Sequence, residues 1–395
     1  VTIPLDSIEE IELFPYFQPI ICASSGTIVG YEALARQYHN GRVVSAGELF
    51  SSRDIPVQQL ILWDRGVRRR ALEKFLRISP NAYLTLNIST VWLDHVLDLN
   101  VLPTLQMLDE LNIDRNRVII EITEAKGDLN KLIKVVDVYR QHGLKVAIDD
   151  FGAGFSQLER VMAIHPDIIK LDISLFKQAS KGGIANDVVH LLTRLAERSG
   201  CRIVCEGVET EDEFFFSLSC GAQYMQGYLF SAAEAEFKNP AHYQHLIESL
   251  RSKYLQKSLS KHQEKFIYTG KIKDLLNKLR QSLSTGFNPT AVPTQPFENS
   301  GILRFYLCNN KGDQISPSYS ASKGKWLADD KHTGFNWSWR PYFYELLALE
   351  FVKDGRPLIT SERYRDFNTG VLCKTLSIRL DQERILLVDI AAEWP

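Results

Sequence analysis

Between about residues 15 and 230, short β-branched runs alternate with longer amphipathic stretches, and few folds accept that rhythm. The strand-like runs are YFQPII (16–21), IVGYEALA (28–35), AYLTLNIS (82–89), RVIIEIT (117–123), LKVAIDDF (144–151), DIIKLDI (167–173), RIVCEGV (202–208) and YMQGYLF (224–230). Helical patterns fill the gaps, among them 58–76, 129–143 and 186–200, the last two closed by Gly143 and Gly200. Repeated β-then-α units imply a parallel sheet with right-handed crossovers. Only ASSGT separates the first two runs, so these pair as a hairpin. Eight strands in this length suit a closed (β/α) barrel. A doubly wound open sheet is the alternative that strand count leaves standing.

Past residue 240 the pattern changes. A polar helical stretch, one helix or a pair, runs to about 285 and leads into the Pro- and Ser-rich STGFNPTAVPTQPFENSG. From about 301 short strands and aromatic residues suggest a smaller α+β domain. The expected division is a barrel at 1–240, a helical linker at 241–285 and a second domain at 286–395.

Net charge is only −2, and the one dense basic cluster, Arg68–Arg70, reads as a solvated helix face, so long nucleic acid is not an expected partner. The six cysteines are scattered and fit buried thiols in a reducing compartment. No run reaches membrane-spanning length and none reads as a signal peptide. The expected location is the cytoplasm.

In a barrel, the C-terminal ends of the strands converge on one face. Those ends carry Glu32, Asn87, Glu121, Asp149 with Asp150, Lys170 with Asp172, Glu206 and Gln226. Each alone has an ordinary reading as a surface carboxylate, a turn former or a solvated lysine. Together they form a ring of hard oxygen donors. Crowded carboxylates repel, and divalent cations such as Mg²⁺ or Mn²⁺ relieve the repulsion. Asp149 and Asp150 can both face the mouth only if the strand breaks there, and FGAG follows them. These residues leave the substrate open.

The segment QPIICASSGTIVGYEALAR, with LNIS (86–89), EITE (121–124), DDFGAGFSQL (149–158), PDIIKLD (166–172), CEGVE (205–209) and QGYLF (226–230), resembles the EAL domain over about residues 10–240. The resemblance implies a modified TIM barrel with an antiparallel first strand that hydrolyses cyclic di-GMP to linear 5′-pGpG. It implies two Mg²⁺ or Mn²⁺ ions per site, with Ca²⁺ inhibitory. Glu32, Asn87, Glu121 and Asp149 match ligands of one ion, and Asp149, Asp150 and Glu206 match ligands of the other. Lys170 resembles the lysine that orients or deprotonates the attacking water, and Gln226 a residue near that water. Glu124 resembles the glutamate that anchors the loop after Asp150. Gln18, Leu34 and Arg36 match nucleotide contacts, Arg36 on a phosphate. The chain departs from the family where Ala153 and Phe155 replace Thr and Tyr, and where Ala232 and Ala233 replace Lys-Pro.

NWSWRPYFYELL (336–347) and SERYRDFNTGVLCKTLSIRL (361–380) resemble PAS-like or Cache-like sensor domains. Trp339, Arg340, Tyr342, Tyr364 and Asp366 then line a small-ligand pocket. The plain alternative is an aromatic core with Arg340 paired to Asp366. Three readings of the whole chain follow: a regulated phosphodiesterase, a cyclic di-GMP receptor with little or no turnover, and an unrelated metal-dependent barrel enzyme. A homodimer is expected, with the helical segment of about 240–285 mediating its contacts or relaying a signal.

Overall fold

The computed structural model describes residues 12–52, 54–78, 81–88, 102–122, 129–152, 157–284, 286–352, 357–366 and 369–392. Two compact units divide the chain, Val1–Gln256 and Lys257–Pro395.

The first unit is a barrel. Its strands are β1 (Leu13–Cys22), β2 (Ile28–His39), β3 (Arg42–Ser45), β4 (Tyr83–Ile88), β5 (Val118–Ile122), β6 (Lys145–Phe151), β7 (Ile168–Leu171), β8 (Arg202–Cys205) and β9 (Tyr224–Met225). From β2 through β4, β5, β6, β7 and β8 to β9 every pairing is parallel. β1 closes the ring by pairing antiparallel with both β2 and β9. The expected hairpin and reversed first strand are therefore present. β3 extends β2 outside the closed ring.

Side-chain alternation explains the layering. Residues two apart on a strand share a face. Ile20, Ile119, Ala147, Ile168, Val204 and Tyr224 pack together as an apolar plug inside the barrel. Two residues further along their strands, Ile119 leads to Glu121, Ala147 to Asp149, Ile168 to Lys170 and Val204 to Glu206. The polar mouth is thus one step above the plug. A separate layer, including Leu86, Ile120, Ile148, Leu171 and Ile203, packs outward against the helices.

Two local expectations change. The last strand ends at Met225, because Gly227 presses against the β8 extension: a Cβ there would lie 2.2 Å from the Val208 carbonyl oxygen. Arg68 is not on a solvated face. It is buried in the helix Val57–Phe75, where it pairs with Asp64 and donates to Thr104 Oγ1 at 2.6 Å, while Arg69 and Arg70 are exposed. Glu124, Ala153 and Phe155 lie outside the described residues.

One continuous helix, Gln244–Ser284, replaces the expected helix or helical pair. Ile247 and Leu250 join the barrel unit's core, and Ile272, Leu276, Leu279 and Leu283 join that of the second unit. The second unit is α+β. Among the described residues its antiparallel sheet has seven strands, β10 (Ile302–Asn309), β11 (Ser318–Ser322), β12 (Lys325–Asp329), β13 (Leu358–Thr360), β14 (Tyr364–Arg365), β15 (Leu372–Arg379) and β16 (Arg384–Ala391). Their order is β12-β11-β10-β16-β15-β13, with β14 also on β15. Alternation along β10 sends Phe305 and Leu307 toward the long helix, and Tyr306 and Cys308 toward the helix Pro341–Val352.

The Arg340–Asp366 pair of the plain alternative does not form among the described residues. Arg304 Nη2 donates to Asp366 Oδ1 at 2.7 Å and Arg304 Nε to Asp389 Oδ2 at 2.7 Å. Arg340 instead stacks over the rings of Trp339 and Tyr364, at 4.2 and 5.5 Å. Arg304 is nearer because its strand, β10, lies beside β16, which carries Asp389.

Candidate metal centre

Each strand delivers one or two polar side chains to the mouth. Glu32, Leu34 and Arg36 alternate along β2 and share its inner face. Gln18 lies opposite Glu32 on β1. Asp149 and Asp150 both reach the mouth because the β6–β7 register shifts between Ile148 and Phe151, and Asp150 itself has a φ of +52°. The expected strand end is instead an irregularity at Asp150 inside β6, which continues to Phe151 before FGAG is complete. That left-handed conformation costs a non-glycine residue about 1 kcal/mol and is held here by the surrounding barrel.

Lys170 sits at the centre. Its side chain is only 1% exposed. Its Nζ lies 2.7 Å from Glu206 Oε1, 3.0 Å from Asp149 Oδ1, and 3.1 Å from both Glu32 Oε2 and Glu121 Oε2. Asn87 Nδ2 donates to Glu32 Oε1 at 2.9 Å. Gln226 Nε2 donates to Glu32 Oε2 at 2.7 Å and to Gln18 Oε1 at 2.9 Å. Gln18 Nε2 in turn donates to the Ser231 carbonyl at 3.1 Å. Both oxygens of Glu32 are therefore held by donors, Oε1 by Asn87 and Oε2 by Gln226 and Lys170.

Electrostatics follow from burial. Burial opposes the charge on Lys170, but the four surrounding carboxylates outweigh it and hold the ammonium charged well above its ordinary range. Burial also works to raise the Glu32 carboxyl, yet Lys170 and the hydrogen bonds from Asn87 and Gln226 bring it below its ordinary value. Glu121 is pushed well above the carboxylate range, first by burial and then by Glu32. Burial lifts Glu206 to about 8 against the pull of Lys170, and lifts Asp150 to about 6 with help from Asp149.

The donor set fits divalent cations. Glu32, Glu121 and Asp149 form one group, and Asp149, Asp150 and Glu206 a second, each with its ligand oxygens within 4.8 Å of one another. Asp149 belongs to both. Glu121 Oε1 and Gln226 Oε1 are buried with no hydrogen-bond partner among the described residues. Five carboxylates face one ammonium, an excess that two divalent ions would neutralise. The set is all oxygen, which suits Mg²⁺ or Mn²⁺.

A cavity of about 290 Å³ opens onto these groups, lined among others by Gln18, Glu32, Leu34, Asp149, Asp150 and Glu206. Ile173, Gly207, Glu209 and Tyr228 also line it and were not singled out in the sequence. Tyr228 follows Gly227 directly, so its place beside Gln226 could have been read from QGYLF. Asp172 does not join the site. Its Oδ1 accepts from Leu175 N at 2.9 Å and caps the helix Ile173–Ser180. Arg36 is half-buried near Tyr228 and Glu32, with Nη1 donating to the Ala35 carbonyl at 3.0 Å. A larger cavity of about 410 Å³ in the second unit, beside Tyr268, Lys271 and Asn299, gathers no cluster of acids.

Comparison with known proteins agrees with this geometry. The EAL domain model matches residues 5–233, and the EAL-domain associated signalling protein domain matches residues 237–394. The uncharacterized EAL-domain containing protein YkuI of Bacillus subtilis is 27% identical over 403 residues, covering 98% of this chain and 96% of that one. The crystal structure of that protein with substrate c-di-GMP and calcium superposes with a TM-score of 0.84 at 24% identity, covering 100% of both chains. The cyclic di-GMP phosphodiesterase PdeL of Escherichia coli is 26% identical over 236 residues, 57% of this chain and 63% of PdeL. The calcium/cy-diGMP complex of Klebsiella pneumoniae BlrP1 gives a TM-score of 0.51 at 28% identity, covering 56% of each chain.

Proposed function

The chain belongs to the EAL-domain family, and from that membership we propose that it hydrolyses cyclic di-GMP to linear 5′-pGpG at the acidic barrel mouth. One observation carries the reading: Asp149 is shared by two carboxylate groups, each spaced to hold a cation, around a buried lysine. Two Mg²⁺ or Mn²⁺ ions there would neutralise the phosphodiester, acidify a water and support the departing oxygen. Glu32, Asn87, Glu121 and Asp149 would hold one ion, and Asp149, Asp150 and Glu206 the other.

The chain's own groups do the rest. Lys170 keeps its proton, so it acts as a donor that orients the attacking water and stabilises charge, not as a base. Gln226 anchors Glu32 and keeps an Oε1 that has no hydrogen-bond partner among the described residues. Gln18 and Leu34 contact the nucleotide, and Arg36 reaches a phosphate. Water adds to phosphorus as the bond to the ribose 3′ oxygen breaks, which leaves a 5′-phosphate. The second unit regulates the barrel through a small ligand held near Trp339, Arg340, Tyr342, Tyr364 and Asp366. The buried Arg340 Nε, without a hydrogen-bond partner among the described residues, supports that part. Six free thiols suit the reducing cytoplasm.

The test is incubation of the intact chain with cyclic di-GMP and Mg²⁺, Mn²⁺ or Ca²⁺, followed by separation of the nucleotides. Linear pGpG with Mg²⁺ or Mn²⁺, and none with Ca²⁺, is expected. Binding without product under every metal would establish a receptor instead.

A further inference from the structure

Glu206 stands on a short loop between the end of β8 at Cys205 and the helix Glu211–Ser219, and strand pairing stops one residue before it. The loop is gripped on both sides of that residue. From the β9 side, Gln226 N donates to the Cys205 carbonyl at 2.9 Å and Val208 N to the Gln226 carbonyl at 3.0 Å. On the other side one carboxylate does the holding. Glu213 Oε2 accepts from Glu209 N at 2.8 Å and from Thr210 N at 3.1 Å, and Thr210 Oγ1 accepts from Glu213 N at 3.3 Å.

A capping box accounts for only part of this. The helix start is satisfied by the reciprocal bonds of Thr210 and Glu213. It needs neither the further reach to Glu209 N nor a cation from another helix. Lys177, on the helix Ile173–Ser180, lies 2.7 Å from Glu213 Oε1 and 3.1 Å from Glu209 Oε2. Glu213 is 9% exposed, so its charge depends on such a partner. Lys177 also takes up the charge of Glu209, which lines the cavity but belongs to neither carboxylate group. The helix that carries Lys177 follows β7, the strand of Lys170. Its first residue presses on the same loop: at Gly207, where φ is +66°, a Cβ would lie 2.8 Å from Ile173 Cγ2.

We propose that Glu213 and Lys177 are positioning residues for the cation of Asp149, Asp150 and Glu206, acting through the loop to set the Glu206 carboxylate. Neither lines the cavity. The inference rests on the two-cation reading of the mouth. Groups that orient a metal ligand without touching the metal are worth about 10–100-fold in affinity. The other ion shares Asp149, but its remaining ligands, Glu32, Asn87 and Glu121, are on β2, β4 and β5.

Calorimetric titration of Mn²⁺ into the full chain with a non-hydrolysable cyclic dinucleotide tests it. Glu213→Gln and Lys177→Met should each weaken one Mn²⁺ site about 10-fold or more and leave the other within about twofold. Lys177→Arg keeps the cation and should stay near the wild type. The double variant E213Q/K177M should weaken the site no further than the worse single change, since the two residues act as one unit. Glu213→Gln keeps an oxygen for the backbone amides, so circular dichroism should show an unchanged fold. A wild type that binds fewer than two ions would overturn the two-cation reading and this inference with it. A wild type that binds two, with Glu213→Gln and Lys177→Met unchanged, would overturn this inference alone. So would an equal loss of both ions, as general loosening of the barrel produces, or a Lys177→Arg variant as weak as Lys177→Met.

Discussion

Lys170 and Glu32 show how one residue's role depends on its neighbours. A lysine buried without partners would shed its proton, yet four carboxylates keep this one charged. Replacing Glu32 with Ala removes an acid, the anchor of Gln226 and an oxygen proposed as a cation ligand together. Turnover should fall at least about a thousandfold in a nucleotide product assay, with the folded spectrum retained. Arg304 offers a sharper contrast. It pairs with Asp366 and with Asp389, which is 1% exposed. Arg304→Met strands a buried carboxylate and should cost about 3–5 kcal/mol in urea unfolding. Arg340→Met should cost at most about 1 kcal/mol. Equal effects would return Arg340 to the role that the sequence suggested.

At the scale of the elements, much was legible. The ends of the β-branched runs placed the acids, the short ASSGT link announced the hairpin of β1 with β2, and the family resemblance implied the reversed first strand. Pairings across space were not legible. Arg68 meets Asp64 one turn away but also Thr104, and Arg304 meets a carboxylate 85 residues on. Nor does sequence show where a strand stops when a neighbouring backbone stops it. Gly227 is such a place. Val208 N donates to the Gln226 carbonyl at 3.0 Å and Leu229 N to the Val208 carbonyl at 2.9 Å, leaving no room for a side chain. Gly227→Ala should destabilise the barrel by about 3 kcal/mol or more and lower kcat by displacing Gln226. Thermal unfolding and steady-state kinetics read the two effects separately, and an unchanged Tm would contradict the packing described.

For the whole molecule, the site links stability to pH and to metal. Glu206 and Asp150 titrate higher in the folded state, at about 8 and about 6, than in the unfolded chain. Between those values and the ordinary carboxylate range the folded state binds more protons. Their contribution to stability is full below about pH 4 and is lost as pH rises through 6 and 8. The metal-free Tm should therefore fall between pH 5 and 8 relative to a Glu206→Gln, Asp150→Asn variant, and saturating Mn²⁺ should reverse the trend. Raised Glu206 and Asp150 also mean that protons compete with metal, so metal affinity should climb across the same range.

The shared Asp149 makes a definite demand on stoichiometry. Calorimetric titration of Mn²⁺ into the intact chain with a non-hydrolysable cyclic dinucleotide should give two ions per subunit, falling to one or none in Asp149→Ala. A wild-type chain that binds a single ion, or keeps both after loss of Asp149, would contradict the two-cation site.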